Sequence, residues 1–151
     1  MFRTLVALSA FVAVAFACTC RPDRTPQSQF CYADVVGLFK ITKNVTAPGD
    51  INFRFEAQPL QIFKKNANGQ PSATKKLFIT TNQHTAACGL FGIEVGKKQL
   101  ISGFYHAPQN AVGANSCGQI SYLNWEQVPN DVKVKLQDGG YYPCPTAAGE
   151  Q

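Results

Sequence analysis

Cys18-Thr19-Cys20 places two sulfurs one residue apart, a spacing with three chemical uses: metal ligation, redox exchange, or fastening whatever lies between them. A zinc finger needs ligand pairs such as C-x2-C, which the chain lacks, and beyond Cys20 the cysteine intervals are wide. A redox pair is normally spaced C-x-x-C. The two histidines, His84 and His106, stand alone with no H-E-x-x-H or similar spacing, so each reads as a surface or structural residue. A cysteine nucleophile requires a free thiol beside a base. The six cysteines (18, 20, 31, 88, 117 and 144) form an even set that leaves none over. The nine Asp and Glu residues are scattered, without a pair suited to acid–base work. No catalytic residue is assigned, and no cofactor of its own is called for. The chain reads as a binder, not an enzyme.

The segment before Cys18 sets the compartment. Met1-Phe2-Arg3 gives a positive start, Leu5 to Phe16 is apolar except for Ser9, and Ala15-Phe16-Ala17 has the small-x-small form of a cleavage site. Residues 1–17 are therefore expected to be a signal peptide. They are too short for a membrane anchor, which needs about 20 apolar residues. Residues 18–151 would form one secreted, extracellular domain, free of the membrane after cleavage and monomeric. All six cysteines follow the cleavage point, so an oxidising compartment implies three disulfides among 15 possible connectivities. Asn44-Val45-Thr46 is a glycosylation sequon in an expected loop. The formal charge of +5 falls by one with Arg3. Lysines occur as scattered pairs (64–65, 75–76, 97–98), which argues against nucleic acid. Weak attraction to acidic matrix polysaccharide is one use for such pairs, and solvated strand ends are the plainer one.

These residues need a scaffold. With Pro22 and Pro26, residues 18–30 are expected to be an irregular N-terminal arm. From Tyr32 the chain turns β-rich, with Gly37 marking a bulge or bend in the first strand. "PGD" at 48–50 is a turn before a long second strand through Phe63, in which Pro59 marks a kink or an edge. "NANGQPS" at 66–72 is a loop with Asn68-Gly69 as its turn. "KKLFITT", "QLISGFYH" and "CGQISYLNW" read as three further strands. "EQVPNDVKVKLQ" fits either a strand or a helix, and a short helix beginning near Pro129 suits proline's preference for a first turn. The sum is a mainly β fold: a closed or partly open five-stranded barrel with one or two short helices.

Taken together these residues resemble the N-terminal, netrin-like domain of the tissue inhibitors of metalloproteinases. The likeness rests on Cys18-Thr19-Cys20 directly after the cleavage site with Pro22 close behind, "QFC" ending in Cys31, "ACGLF" with Cys88, "QLISGF", "SCGQISYLNW" with Cys117 and Trp125, and Cys144. It covers essentially all of residues 18–151. It implies an OB-like five-stranded barrel with packed helices and the pairs Cys18–Cys88, Cys20–Cys117 and Cys31–Cys144. The chain ends seven residues after Cys144, so the six-cysteine second subdomain of vertebrate members is expected to be absent, and with it any binding to proenzymes.

The resemblance also implies a mechanism. The α-amine and carbonyl of Cys18 would chelate the catalytic zinc of an extracellular metalloproteinase. Thr19 would enter the main specificity pocket, and Cys20, Arg21 and Pro22 would run along the cleft. Thr85, Ala86 and Ala87 would contact the protease on the other side of its zinc. Arg21 departs from the small or apolar residue usual at its position. That substitution keeps a second reading open, in which a non-inhibitory netrin-like module binds an extracellular or host immune receptor.

Overall fold

The computed structural model describes residues 18–65, 69–72 and 74–145. The expected leader (residues 1–17) and Asn68 of the expected turn lie outside them. Five strands, β1 (Val35–Asn44), β2 (Asn52–Lys64), β3 (Leu77–Asn82), β4 (Lys98–His106) and β5 (Ala111–Gly113), close into a barrel in the order β1-β2-β3-β5-β4. All neighbours are antiparallel except β3 and β5, which run parallel from Phe78↔Ala111 to Thr80↔Gly113.

The barrel interior is filled by Val35, Phe39, Ile41, Phe55, Ala57, Leu77, Ile79, Ile101 and Val112. A second core lies between the outside of β1 and β4 and two helices, α1 (Pro26–Tyr32) and α2 (Asn130–Gln137). Val36 and Leu100 enter it from the strands, Phe30 from α1, and Val132 and Leu136 from α2. Because β1 is buried on both faces, Val35 to Phe39 reads as a continuous apolar run instead of an alternation.

Gly37 sits at a register shift between β1 and β2, and a Cβ there would meet Phe39 Cζ at 2.8 Å and Ile62 Cδ1 at 2.9 Å. A larger residue would have to push both side-chain ends aside, and glycine lets the strand bulge without that rearrangement. Pro59 pairs with Phe39 beside another shift, on the half of β2 beyond Ala57 that has no β3 partner. Its missing N–H costs no ladder bond there.

Two expectations are corrected. Residues 26–30 are not part of an irregular arm, because α1 begins at Pro26. Thr25 caps the helix and forms a reciprocal capping box with Ser28, and Pro26 occupies the first turn, where its missing N–H is harmless. "CGQISYLNW" is not a strand. Ser116–Gly118 is a 3-10 turn capped by Asn115, and Trp125–Gln127 is another capped by Asn124. The fifth strand is Ala111–Gly113. The ambiguous segment near the C-terminus is helical: Val132 and Leu136 are buried one turn apart, while Val134 is 53% exposed.

The C-terminal end of α1 is closed by Lys64. Its Nζ donates to the carbonyls of Phe30 (2.9 Å), Cys31 (2.7 Å) and Ala33 (2.6 Å). These are carbonyls that the helix leaves without an internal partner. Burial lowers the Lys64 pKa from the ordinary lysine value, and the nearby Asp34 carboxylate pulls it the other way. A cation at a helix C-terminus also complements its dipole. α1, which follows the N-terminal arm, is thereby locked to the end of β2.

Candidate functional site

Among the described residues every cysteine is paired: Cys18 with Cys88, Cys20 with Cys117, and Cys31 with Cys144. The first two bridges lie side by side, with Cys18 Sγ 3.4 Å from Cys117 Sγ and Cys117 Sγ 3.7 Å from Cys88 Sγ. Three sulfurs this close resemble a metal-binding cluster. Each is already spent in an S–S bond, so no thiolate is available to a metal. What the packing of sulfurs does is fix a short stretch of backbone.

Cys18 and Cys20 are half-buried, and Thr19 between them is exposed. The bridges turn the two cysteines toward the body, and the side chain between them is left facing solvent. Arg21 and Pro22 follow, both exposed, and Pro22 opens a turn with Asp23. No ion pair involves Arg21 or Asp23 among the described residues. Arg24 then reaches back, its Nη1 donating to the Cys117 carbonyl at 3.0 Å. A cleft of about 350 Å³ runs beside the arm, lined in part by Thr19, Arg21, Arg24, Tyr32 and Asn115.

On the other side of the Cys18–Cys88 bridge, Thr85–Ala87 forms a single 3-10 turn with all three side chains exposed. Cys88 ends the turn in the left-handed region (φ 57°), and its N–H donates to the Thr85 carbonyl at 3.0 Å. Gly89 follows with no room for a side chain: a Cβ would stand 2.1 Å from the Asn82 carbonyl oxygen and 3.1 Å from that of His84. The loop is further pinned by His84 N–H to Asn82 Oδ1 (2.8 Å) and Leu90 N–H to the buried Thr81 Oγ1 (2.7 Å). His84 caps this turn and His106 closes β4, both exposed. The Cα atoms of Cys18 and Cys88 are 4.9 Å apart. Residues 18–22 and 85–87 therefore share one exposed ridge.

The third support is the turn around Cys117. Asn115 Oδ1 accepts from Gly118 N–H at 2.8 Å, and Ser116 N–H donates to the Cys88 carbonyl at 2.9 Å. Gln119 anchors this turn to β4: its Nε2 donates to the Ser102 carbonyl (2.9 Å) and its Oε1 accepts from Ser102 N–H (3.1 Å). Arg24, Gly89, Ser102, Asn115 and Gln119 belong to no chemical motif in the sequence. Only the turn-like run Asn115-Ser116-Cys117-Gly118 carries a local signal. Asn44 lies elsewhere, as the exposed last residue of β1, with the connecting loop starting at Val45.

The ridge thus combines a rigid, doubly cross-linked arm with a projecting threonine and a neighbouring turn of small residues. It presents shape and backbone instead of reactive side chains. A family model described as tissue inhibitor of metalloproteinase matches residues 16–143. A protein of Caenorhabditis elegans named "Putative metalloproteinase inhibitor tag-225" is 30% identical over 154 residues, covering 89% of this chain and 94% of its own length.

Proposed function

The chain belongs to the tissue inhibitor of metalloproteinase family, and from that premise we propose that it is a secreted inhibitor of zinc metalloendopeptidases that acts through its N-terminal ridge. The observation that carries this is the exposed Thr19 held between two disulfide-anchored cysteines, beside the exposed Thr85–Ala87 turn. In this proposal the leader is cut between Ala17 and Cys18. Cys18 then offers an α-amine and its own carbonyl, two donors that close a five-membered chelate on a metal.

A catalytic zinc keeps one position open for water. The Cys18 nitrogen and oxygen would displace the water that hydrolysis needs, one donor taking its position and the other adding a further ligand. An α-amine titrates near 7.7–8.0, so its lone pair is within reach at physiological pH once a metal competes for it. Thr19 would then enter the specificity pocket, with Cys20, Arg21 and Pro22 along the cleft and residues 85–87 on the far side of the zinc. The sulfurs of Cys18 and Cys20 serve only as anchors. Anchoring supports tight binding because the ordering cost is met on folding, before the target arrives.

The test is inhibition of a panel of zinc metalloendopeptidases by the chain beginning at Cys18, compared with its Thr19→Gly variant. The expected result is inhibition by the parent, with potency and selectivity altered in the variant. An identical inhibition profile for the two proteins would remove Thr19 from the pocket. No inhibition at micromolar concentration would favour the receptor-binding reading, in which Arg21 serves another partner.

A further inference from the structure

The sequon Asn44-Val45-Thr46 is not used by the inhibitory ridge, and its local geometry is specific. Asn44 Oδ1 accepts twice from the same residue, from Thr46 N–H at 3.0 Å and from Thr46 Oγ1 at 2.6 Å. The threonine hydroxyl is itself built into the hairpin, accepting from Arg54 N–H at 2.9 Å. Asn44 is exposed, and no hydrogen bond engages its Nδ2 among the described residues. The amide is thus held by its oxygen with its nitrogen left outermost, at the point where β1 gives way to a turn.

From this geometry we propose that Asn44 is a site of N-linked glycosylation. In the transfer, Asn44 Nδ2 forms a bond to the anomeric carbon of a lipid-pyrophosphate-linked oligosaccharide. The bond from that carbon to the pyrophosphate oxygen breaks, the lipid pyrophosphate leaves, and the amide nitrogen loses one proton. The fold accommodates the product, since the attachment point is exposed and the two bonds that hold it use Oδ1 and not Nδ2. The position also has a consequence for the ridge. The β1–β2 turn is fastened by Gln83, whose N–H donates to the Ile51 carbonyl (3.0 Å) and whose Nε2 donates to the Asp50 carbonyl (2.7 Å). Gln83 lies two residues before Thr85. The hairpin that would carry the glycan is thus hydrogen-bonded to the segment that leads into the Thr85–Ala87 turn.

The test is translation of the full chain in the presence of microsomal membranes, with and without peptide N-glycosidase. The parent is expected to show one discrete upward gel shift that the glycosidase removes, with Asn44 read as Asp by mass spectrometry afterwards. Asn44→Gln and Thr46→Ala should both abolish the shift, and Thr46→Ser, which keeps the hydroxyl, should retain it. An unshifted parent with unmodified Asn44, or a shift that survives Thr46→Ala, would overturn the proposal. The readout is independent of protease inhibition, so it stands or falls separately from the proposed function.

Discussion

Removing the Cys20–Cys117 bridge by Cys20→Ala with Cys117→Ala separates its two effects, on the fold and on the ridge. The bridge spans 97 residues. In an otherwise open chain, the loop-entropy relation assigns a closure of that length about 4.7 kcal/mol. Cys18–Cys88 already joins the same two regions, and the remaining path runs back from Cys20 to Cys18 and on across the 29 residues from Cys88 to Cys117. The bridge therefore closes an effective loop of about 31 residues, for which the same relation gives about 3.7 kcal/mol. At about 4 °C per kcal/mol for a domain of this size, the melting temperature should fall by about 15 °C. The ridge should suffer as well. Residues 19–21 regain backbone freedom worth about 1–2 kcal/mol each, so inhibition should weaken by at least about 3 kcal/mol, on the order of 100-fold or more. Urea unfolding measures the first quantity and inhibition titration of the still-folded protein measures the second. The control is Cys31→Ala with Cys144→Ala, which opens a bridge between α1 and the C-terminal segment. That control should lose stability while keeping inhibition. If the Cys20–Cys117 variant stays folded and inhibits as strongly as the parent, preorganisation of the arm is not what the bridge provides.

Gly89→Ala forces a Cβ against two backbone carbonyls, so the loop must shift. A loss of about 1–3 kcal/mol in urea unfolding is expected, together with weaker inhibition; an alanine tolerated without cost would contradict the packing described. Lys64→Met leaves the three carbonyls at the end of α1 without their donor. It should cost about 1–3 kcal/mol by the same measurement while leaving the ridge bridges intact, and unchanged stability would show that water replaces the ammonium freely. Burial, with the Asp131 carboxylate, raises the Tyr141 phenol above 10.0. The folded state then holds that proton more firmly than the unfolded state, so its contribution is full below pH 10.0 and lost as pH rises through the folded value. Tyr141→Phe should flatten this alkaline fall in unfolding free energy, and a slope identical to the parent's would rule the phenol out.

Much of the barrel is legible in the sequence because β1, β2 and β4 are long enough for their apolar patterns to stand out. β5 is not, since three residues carry no period and their strand character comes from pairing with β3. "CGQISYLNW" misleads for the converse reason: its alternation is local, while Asn115 just before it and Asn124 near its end turn the chain. Pro26 hid α1 by reading as a breaker, although Thr25 and Ser28 stand ready as a capping box. At the ridge, Cys18, Thr19 and Cys20 are visible from their spacing behind a cleavage signal. The residues that hold them, such as Arg24 and Gln119, act through backbone groups far away in sequence. Arg24 reaches a carbonyl 93 residues on, and no local pattern encodes that contact.

The central claim is that the terminal amine of Cys18 is the group that meets the zinc, and one added residue tests it. An alanine placed before Cys18 keeps both bridges, Thr19 and the Thr85–Ala87 turn, and converts the amine into an amide. The inhibition constant of this extended protein, set beside that of the chain beginning at Cys18, is the decisive measurement. Inhibition should collapse while the melting temperature stays unchanged. Equal inhibition by the two proteins would contradict the claim.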